Sequence, residues 1–297
     1  MKITMLGGHA SGKTSYLGAL WATVSHADPN APATLRTNQL PPNSTYLDEC
    51  EYSMLAGEPV ERTRRDHGES VSLDLLIDGA AAQVTHLDVA GETYETALEE
   101  RQAAPSLLEE LATTDAVMLF VHPNRLRLPS AISEASKLAE LSGQRLEVQS
   151  EGAQTPSEID PAEVWKHAPT AVHLVELLQL VLETRTSPAK LAVSVVVSAW
   201  DLVDSGPDWG TANSPGDWMQ KHLPMLHQFL SSNRAILLWN YFGVSAQGCS
   251  FDDVKAFDVL MDRPCAERTV VTDGDSWTND ISEPLRWFIS QQAALSP

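Results

Sequence analysis

Six short runs along the chain are apolar and largely β-branched: 2–6, 71–77, 83–87, 116–121, 191–197 and 235–239. Their hydrophobicity is near-continuous instead of alternating, the pattern of strands covered on both faces. Asp78-Gly79 separates the second run from the third, a tight-turn pair that predicts an antiparallel hairpin. The remaining runs are separated by helical segments, with clear helical spacing at 15–22, 129–141 and 171–184, and a last helix is expected near 283–291. Strand–helix–strand order implies right-handed crossovers and a mainly parallel sheet. Three stretches, 28–69, 123–190 and 250–280, exceed ordinary connections and read as insertions, the last as irregular. Residues 206–216, with Pro, Asp, Asn and Ser, read as a solvated loop. The expectation is one α/β domain over 1–297, a three-layer fold with a mainly parallel six-stranded sheet, one antiparallel edge hairpin and long insertions.

Charge narrows the range of partners. The 297 residues carry a formal net charge of −20. Nucleic-acid grooves need clustered Lys and Arg, and anionic lipid repels such a chain, so neither partner is expected. Cys50, Cys249 and Cys265 form no paired spacing, which fits reduced thiols and no structural zinc. No run of about 18 apolar residues is present, so no membrane insertion is expected. The first strand begins at residue 2, leaving no leader, and a cytoplasmic location is expected.

Residues 7–14, Gly-Gly-His-Ala-Ser-Gly-Lys-Thr, complete the pattern G-x-x-x-x-G-K-[ST] between the first strand and the first helix. That context is what the P-loop NTPase fold requires. Gly7 and Gly12 let the chain turn tightly, so that N–H groups of Gly8, His9, Ala10, Ser11, Gly12, Lys13, Thr14 and Ser15 can wrap a polyphosphate at a helix N-terminus. Lys13 would reach the β- and γ-phosphates, and the Thr14 hydroxyl would ligate Mg²⁺. A second signal closes the third strand: Asp88-Val89-Ala90-Gly91-Glu92. A carboxylate at that tip can hold Mg²⁺ through water, and the Gly91 N–H can sense a γ-phosphate.

Two further segments follow strands: Ser198-Ala199-Trp200-Asp201 and Phe242-Gly243-Val244-Ser245-Ala246-Gln247-Gly248. In order and strand position the four motifs resemble those of Ras-like, translation-factor-related GTPases. The forms SAWDLV (198–203), FGVSAQG (242–248) and the tail DISEPLRW (280–287) resemble more closely the bacterial double-GTPase family, across nearly the whole chain. The resemblance implies GTP/GDP and Mg²⁺ as ligands, Asp201 as the reader of guanine N1 and N2, and Ser245 with Ala246 at guanine O6. It also implies a nucleotide-dependent switch of bacterial multigene defence or conflict systems.

A second Mg²⁺ ligand is expected from a threonine of 28–69, among Thr34, Thr37, Thr45 and Thr63. Thr63 is chosen because it lies nearest the second strand, behind a lead-in (55–59) resembling the family's. Arg62, Arg64 and Arg65 flank it, and Arg62 is taken as an internal arginine finger, against the alternative of surface pairing with Glu58, Glu61 and Asp66. Two positions depart from the common GTPase pattern. Ser198-Ala199 replaces Asn-Lys, removing an aliphatic stem from the base face, and Glu92 stands where a water-orienting glutamine is usual. Slow GTP hydrolysis is therefore expected, with Lys13, Gly91, Glu92 and Arg62 as the catalytic set and protein partners engaging the segments near 58–66 and 91–100. Rival readings are a nucleotide-locked scaffold, an ATPase, or a small-molecule kinase, the last lacking an arginine-rich lid in 123–190.

Overall fold

The computed structural model describes residues 1–26, 34–41, 44–58, 70–87, 102–129, 168–204, 213–249 and 254–292. Among them the sheet has nine strands, β1 (Lys2–Gly7), β2 (Leu35–Gln39), β3 (Ser70–Ile77), β4 (Ala80–Leu87), β5 (Ala116–Val121), β6 (Leu191–Ser198), β7 (Leu237–Ser245), β8 (Val270–Thr272) and β9 (Trp277–Thr278). Their order is β2-β3-β4-β1-β5-β6-β7-β8-β9. The five central strands β4, β1, β5, β6 and β7 are parallel, as the crossover argument requires.

The expected six strands are present, but the sheet is larger. β2 is mostly exposed polar residues with Leu35 alone buried, and β8 and β9 span three and two residues. Segments that short, or that polar, leave no periodic signal. The hairpin β3–β4 is antiparallel through the Asp78-Gly79 turn, with Asp78 at φ 50 and Gly79 at φ 85. It is not the sheet edge, because β2 pairs antiparallel to β3 outside it. The run expected at 235–239 begins two residues later and continues to Ser245, so Gly243 and Ser245 are strand residues.

Eight α-helices cover the sheet among the described residues: α1 (Lys13–Ser25), α2 (Thr45–Ala56), α3 (Pro105–Ala112), α4 (Thr170–Thr184), α5 (Pro215–His222), α6 (Pro224–Ser232), α7 (Val254–Met261) and α8 (Glu283–Ser290). Three lie where the expectation put something else: α2 in the first insertion, α7 in the stretch read as irregular, and the start of α5 in the loop 206–216. The helix expected at 129–141 falls almost wholly outside the described residues.

Side chains alternate between two cores on the sheet's faces. Ala116, Met118 and Phe120 of β5 pack with α1, α2 and α8, while Val117, Leu119 and Val121 pack with α3, α4, α5 and α6. This is why the central strands read as continuously apolar. Each fully buried Val or Leu contributes about 1.5–3 kcal/mol of transfer free energy, which holds the strand ends in place. Those ends meet at one rim.

Candidate functional site

The site begins where β1 turns into α1. Gly7 (φ 144), Ala10 (φ 52) and Gly12 (φ 93) take left-handed backbone angles, so the chain reverses within six residues. A Cβ on Gly7 would lie 2.6 Å from the Phe120 carbonyl oxygen, and one on Gly12 would lie 2.5 Å from Ser198 Cβ. The two glycines are therefore required by angle and by space. Lys13 opens α1 and its side chain folds back over the loop, Nζ donating to the carbonyls of Gly7 (2.8 Å) and Gly8 (2.9 Å) and to Ser11 Oγ (3.1 Å). No side chain caps α1, and no acidic residue occupies its first turn. The helix N-terminus thus keeps its N–H groups and partial positive charge for an anion.

Ser198 ties the next strand to this loop. Its Oγ lies 2.8 Å from the Ser11 carbonyl and 3.2 Å from the Val121 carbonyl, so the one hydroxyl proton is shared by two acceptors. The sequence marked this position only as a departure from Asn; its hydroxyl joins β5, β6 and the phosphate loop. Ala199 then takes φ 46, turning the chain into the single 3₁₀ turn Trp200–Leu202. Trp200 is fully buried, its ring packed on Gly243, where a Cβ would meet Trp200 Cδ2 at 2.3 Å. The glycine of the FGVSAQG segment thereby seats the residue before Asp201.

Asp201 faces β7. Ser245 Oγ donates to Asp201 Oδ1 at 2.5 Å and accepts the Gly248 N–H at 2.9 Å. A cavity of about 210 Å³ runs between the two halves of the site, from Gly12, Ser15 and Tyr16 to Asp201, Ser245 and Ala246. Its apolar walls include Phe120, Val196, Leu202 and Val244. Tyr16 packs edge-on against Phe120 with ring centres 5.4 Å apart, and its hydroxyl donates to the Ile281 carbonyl at 2.9 Å. Burial pushes the Tyr16 phenol well above its usual pKa, so it stays neutral.

His122, not anticipated from the sequence, also lines this cavity. It follows β5 directly, and its Nδ1 accepts the Asn124 N–H at 3.2 Å. Burial, then the nearby Arg125, lower its pKa, while Asp201 acts in the opposite direction. Gln247 is a further wall residue, with its Oε1 buried and without a hydrogen-bond partner among the described residues. A single histidine after an apolar strand carries no motif, so only the assembled cavity points to it.

Of the residues expected at the site, the structure brings together Gly8 to Ser15, Asp201, Ser245 and Ala246 around one loop and cavity. Arg62, Thr63, Asp88, Gly91 and Glu92 lie outside the described residues. β4 ends at Leu87 beside β1, in parallel register through Met5–His86, and Asp88 follows it in sequence. Among the described residues no cluster of His, Cys, Asp and Glu suits a metal, and no helix is long and apolar enough to cross a membrane.

The sequence matches Double-GTPase 1 over residues 4–288, from β1 into α8. The chain belongs to this family. It is accordingly a P-loop GTPase-like α/β protein, and the phosphate loop with the Asp201–Ser245 pair is the family member's candidate nucleotide site. No curated protein sequence matches the chain. Among solved structures, the signal recognition particle receptor SRb-GTP/SRX complex from Chaetomium thermophilum is similar at 13% identity and a TM-score of 0.39, over 88% of this chain and 97% of that one. The GTP-bound Ski7 GTPase-like domain of S. cerevisiae is similar at 11% identity and a TM-score of 0.33, over 86% of this chain and 45% of that one.

Proposed function

We propose that the protein binds GTP with Mg²⁺ and hydrolyses it slowly to GDP and phosphate, acting as a nucleotide-dependent switch. The observation carrying this reading is a continuous cavity, among the described residues, that joins the uncapped N-terminus of α1 to the Ser245-braced carboxylate of Asp201. One end suits a triphosphate and the other suits a base edge bearing N–H donors. Thr14 at the start of α1, with no acid in that turn, fits a hydroxyl ligand for a phosphate-bound cation. Thr63 and Asp88 complete the proposed set. When bound, Mg²⁺ supplies charge neutralisation on the β- and γ-phosphate oxygens.

In the reaction, water attacks the γ-phosphorus and the β–γ bridging oxygen leaves on GDP. Lys13, held over the loop by two carbonyls, stabilises the charge that develops on that oxygen. Glu92 orients the water, Gly91 N–H contacts the γ-phosphate, and Arg62 supplies a further positive charge. The segments near 58–66 and 91–100 change with the nucleotide and engage protein partners. The proposed setting, a bacterial multigene defence or conflict system in the cytoplasm, rests on family resemblance.

Ala199 favours a second reading, a scaffold that holds nucleotide without turnover, because no side chain beyond Cβ covers the base from that position. Single-turnover phosphate release from GTP with Mg²⁺ separates the two. Release that Lys13→Ala abolishes supports the hydrolase. Tight binding with no release supports the scaffold, and preference for ATP over GTP in competition would remove the guanine assignment.

A further inference from the structure

The cavity wall contains a hydrogen-bond donor that neither the motif reading nor the proposed reaction uses. His122 lies beside Ser198, because β5 and β6 pair in parallel with Val121 opposite Val197. Ser198 is already occupied: its proton is shared between the Ser11 and Val121 carbonyls. Ser245 is occupied as well, accepting from Gly248 and donating to Asp201. His122 is different. Its Nδ1 accepts the Asn124 N–H, so the proton of the neutral ring sits on Nε2. Partial burial and the Arg125 guanidinium disfavour the charged ring, with Asp201 acting in the opposite direction, and the Asn124 N–H sets which nitrogen of the neutral ring carries the proton.

A purine presents different chemistry on its two edges. The edge facing an aspartate must carry N–H donors, as guanine N1 and N2 do. The opposite edge carries acceptors, N7 and, in guanine, O6. With O6 assigned to the Ala246 main-chain N–H, N7 needs a separate donor. We propose that the His122 Nε2–H donates a hydrogen bond to N7 of the bound base, making His122 a specificity-determining residue of the pocket. The contact distinguishes purines from pyrimidines independently of Asp201. It rests on the guanine-nucleotide reading of the cavity.

The test is a cycle of two ligands against three proteins, using the full chain with Mg²⁺ and calorimetry. GTP is compared with 7-deaza-GTP, in which a C–H replaces N7. The wild type is compared with His122→Phe, which keeps a planar ring, and His122→Gln, whose amide can donate. The wild type should bind 7-deaza-GTP roughly three- to tenfold more weakly than GTP, the range of one hydrogen bond. His122→Phe should bind GTP weakly to the same degree and show no further loss with the analogue. His122→Gln should recover part of the GTP affinity and part of the discrimination. Equal affinity of the wild type for the two ligands, or the same penalty in His122→Phe, overturns the role of His122 while leaving the guanine site intact. Absence of any GTP binding by the wild type overturns both.

Discussion

Ser245 and Asp201, 44 residues apart in sequence, are joined by a 2.5 Å hydrogen bond in which the serine hydroxyl donates to Oδ1. The same hydroxyl accepts the Gly248 N–H, so the carboxylate is braced through a loop that immediately follows β7. One Asp201 oxygen is thereby fixed in direction, which lowers the ordering cost of presenting the carboxylate to a base.

Ser245→Ala should therefore weaken GTP by roughly three- to tenfold, the effect of one hydrogen bond, with ATP affinity changed less. Competition binding of the two nucleotides checks this. An equal loss for both would mean that the serine serves only to support the loop.

Gly12 and Ser198 make a second pair. Gly12→Ala would put a methyl 2.5 Å from Ser198 Cβ at a φ of +93, so the phosphate loop must be rebuilt and nucleotide binding should fall below detection. Ser198→Ala removes the hydroxyl and both of its hydrogen bonds, and should cost about 1 kcal/mol in urea unfolding, with binding weakened but measurable. If Gly12→Ala binds GTP as the wild type does, the loop does not hold the phosphates in this geometry.

Trp200 rests on Gly243, and Gly243→Ala would drive a methyl to 2.3 Å from the indole. Overpacking of this kind costs about 1–3 kcal/mol. Because Trp200 precedes Asp201, the shift should also reduce GTP affinity. Denaturation midpoints and calorimetry on one protein preparation report the two effects together.

Arg268, buried to 7% exposure, donates to the carbonyls of Arg263, Leu55 and Met261 and to Met261 Sδ. It thereby fastens the segment after α7 to the end of α2. Arg268→Met should destabilise by roughly 2–4 kcal/mol, since several carbonyls lose a charged donor at once. A change under about 0.5 kcal/mol in guanidinium unfolding would mean that water replaces the guanidinium without cost.

Acidification acts through His122 and His222, whose pKa values burial lowers in the folded protein. At His122 Arg125 adds to that effect and Asp201 opposes it; at His222 Lys221 adds to it. The unfolded chain takes up these protons first, near the ordinary histidine value of about 6.5. Stability should then fall as pH drops from about 6.5 toward the folded values, and be independent of these groups above pH 7. Unfolding midpoints from pH 7.5 to 5.5 should show a shallower slope in His122→Gln.

Local pattern was sufficient for a large part of the molecule. The phosphate loop, the central parallel strands and helix α4 each follow from neighbouring residues, through glycine placement, continuous apolarity or 3.6-residue spacing. Family membership was legible too: the resemblance was read on contiguous segments such as SAWDLV and FGVSAQG, and the family match spans residues 4–288. The edge strands were not: β2 has one buried residue and β8 and β9 have five residues between them, so their pairing depends on β3 and β7 being already in place. The same holds for the finer parts of the cavity. Nothing near Gly243 in the sequence announces Trp200, and nothing near Ser11 announces Ser198, 187 residues away. Those contacts arise where parallel strands bring their ends to one rim, and a hydrogen bond or a close approach between distant residues is set by that geometry and not by local spacing.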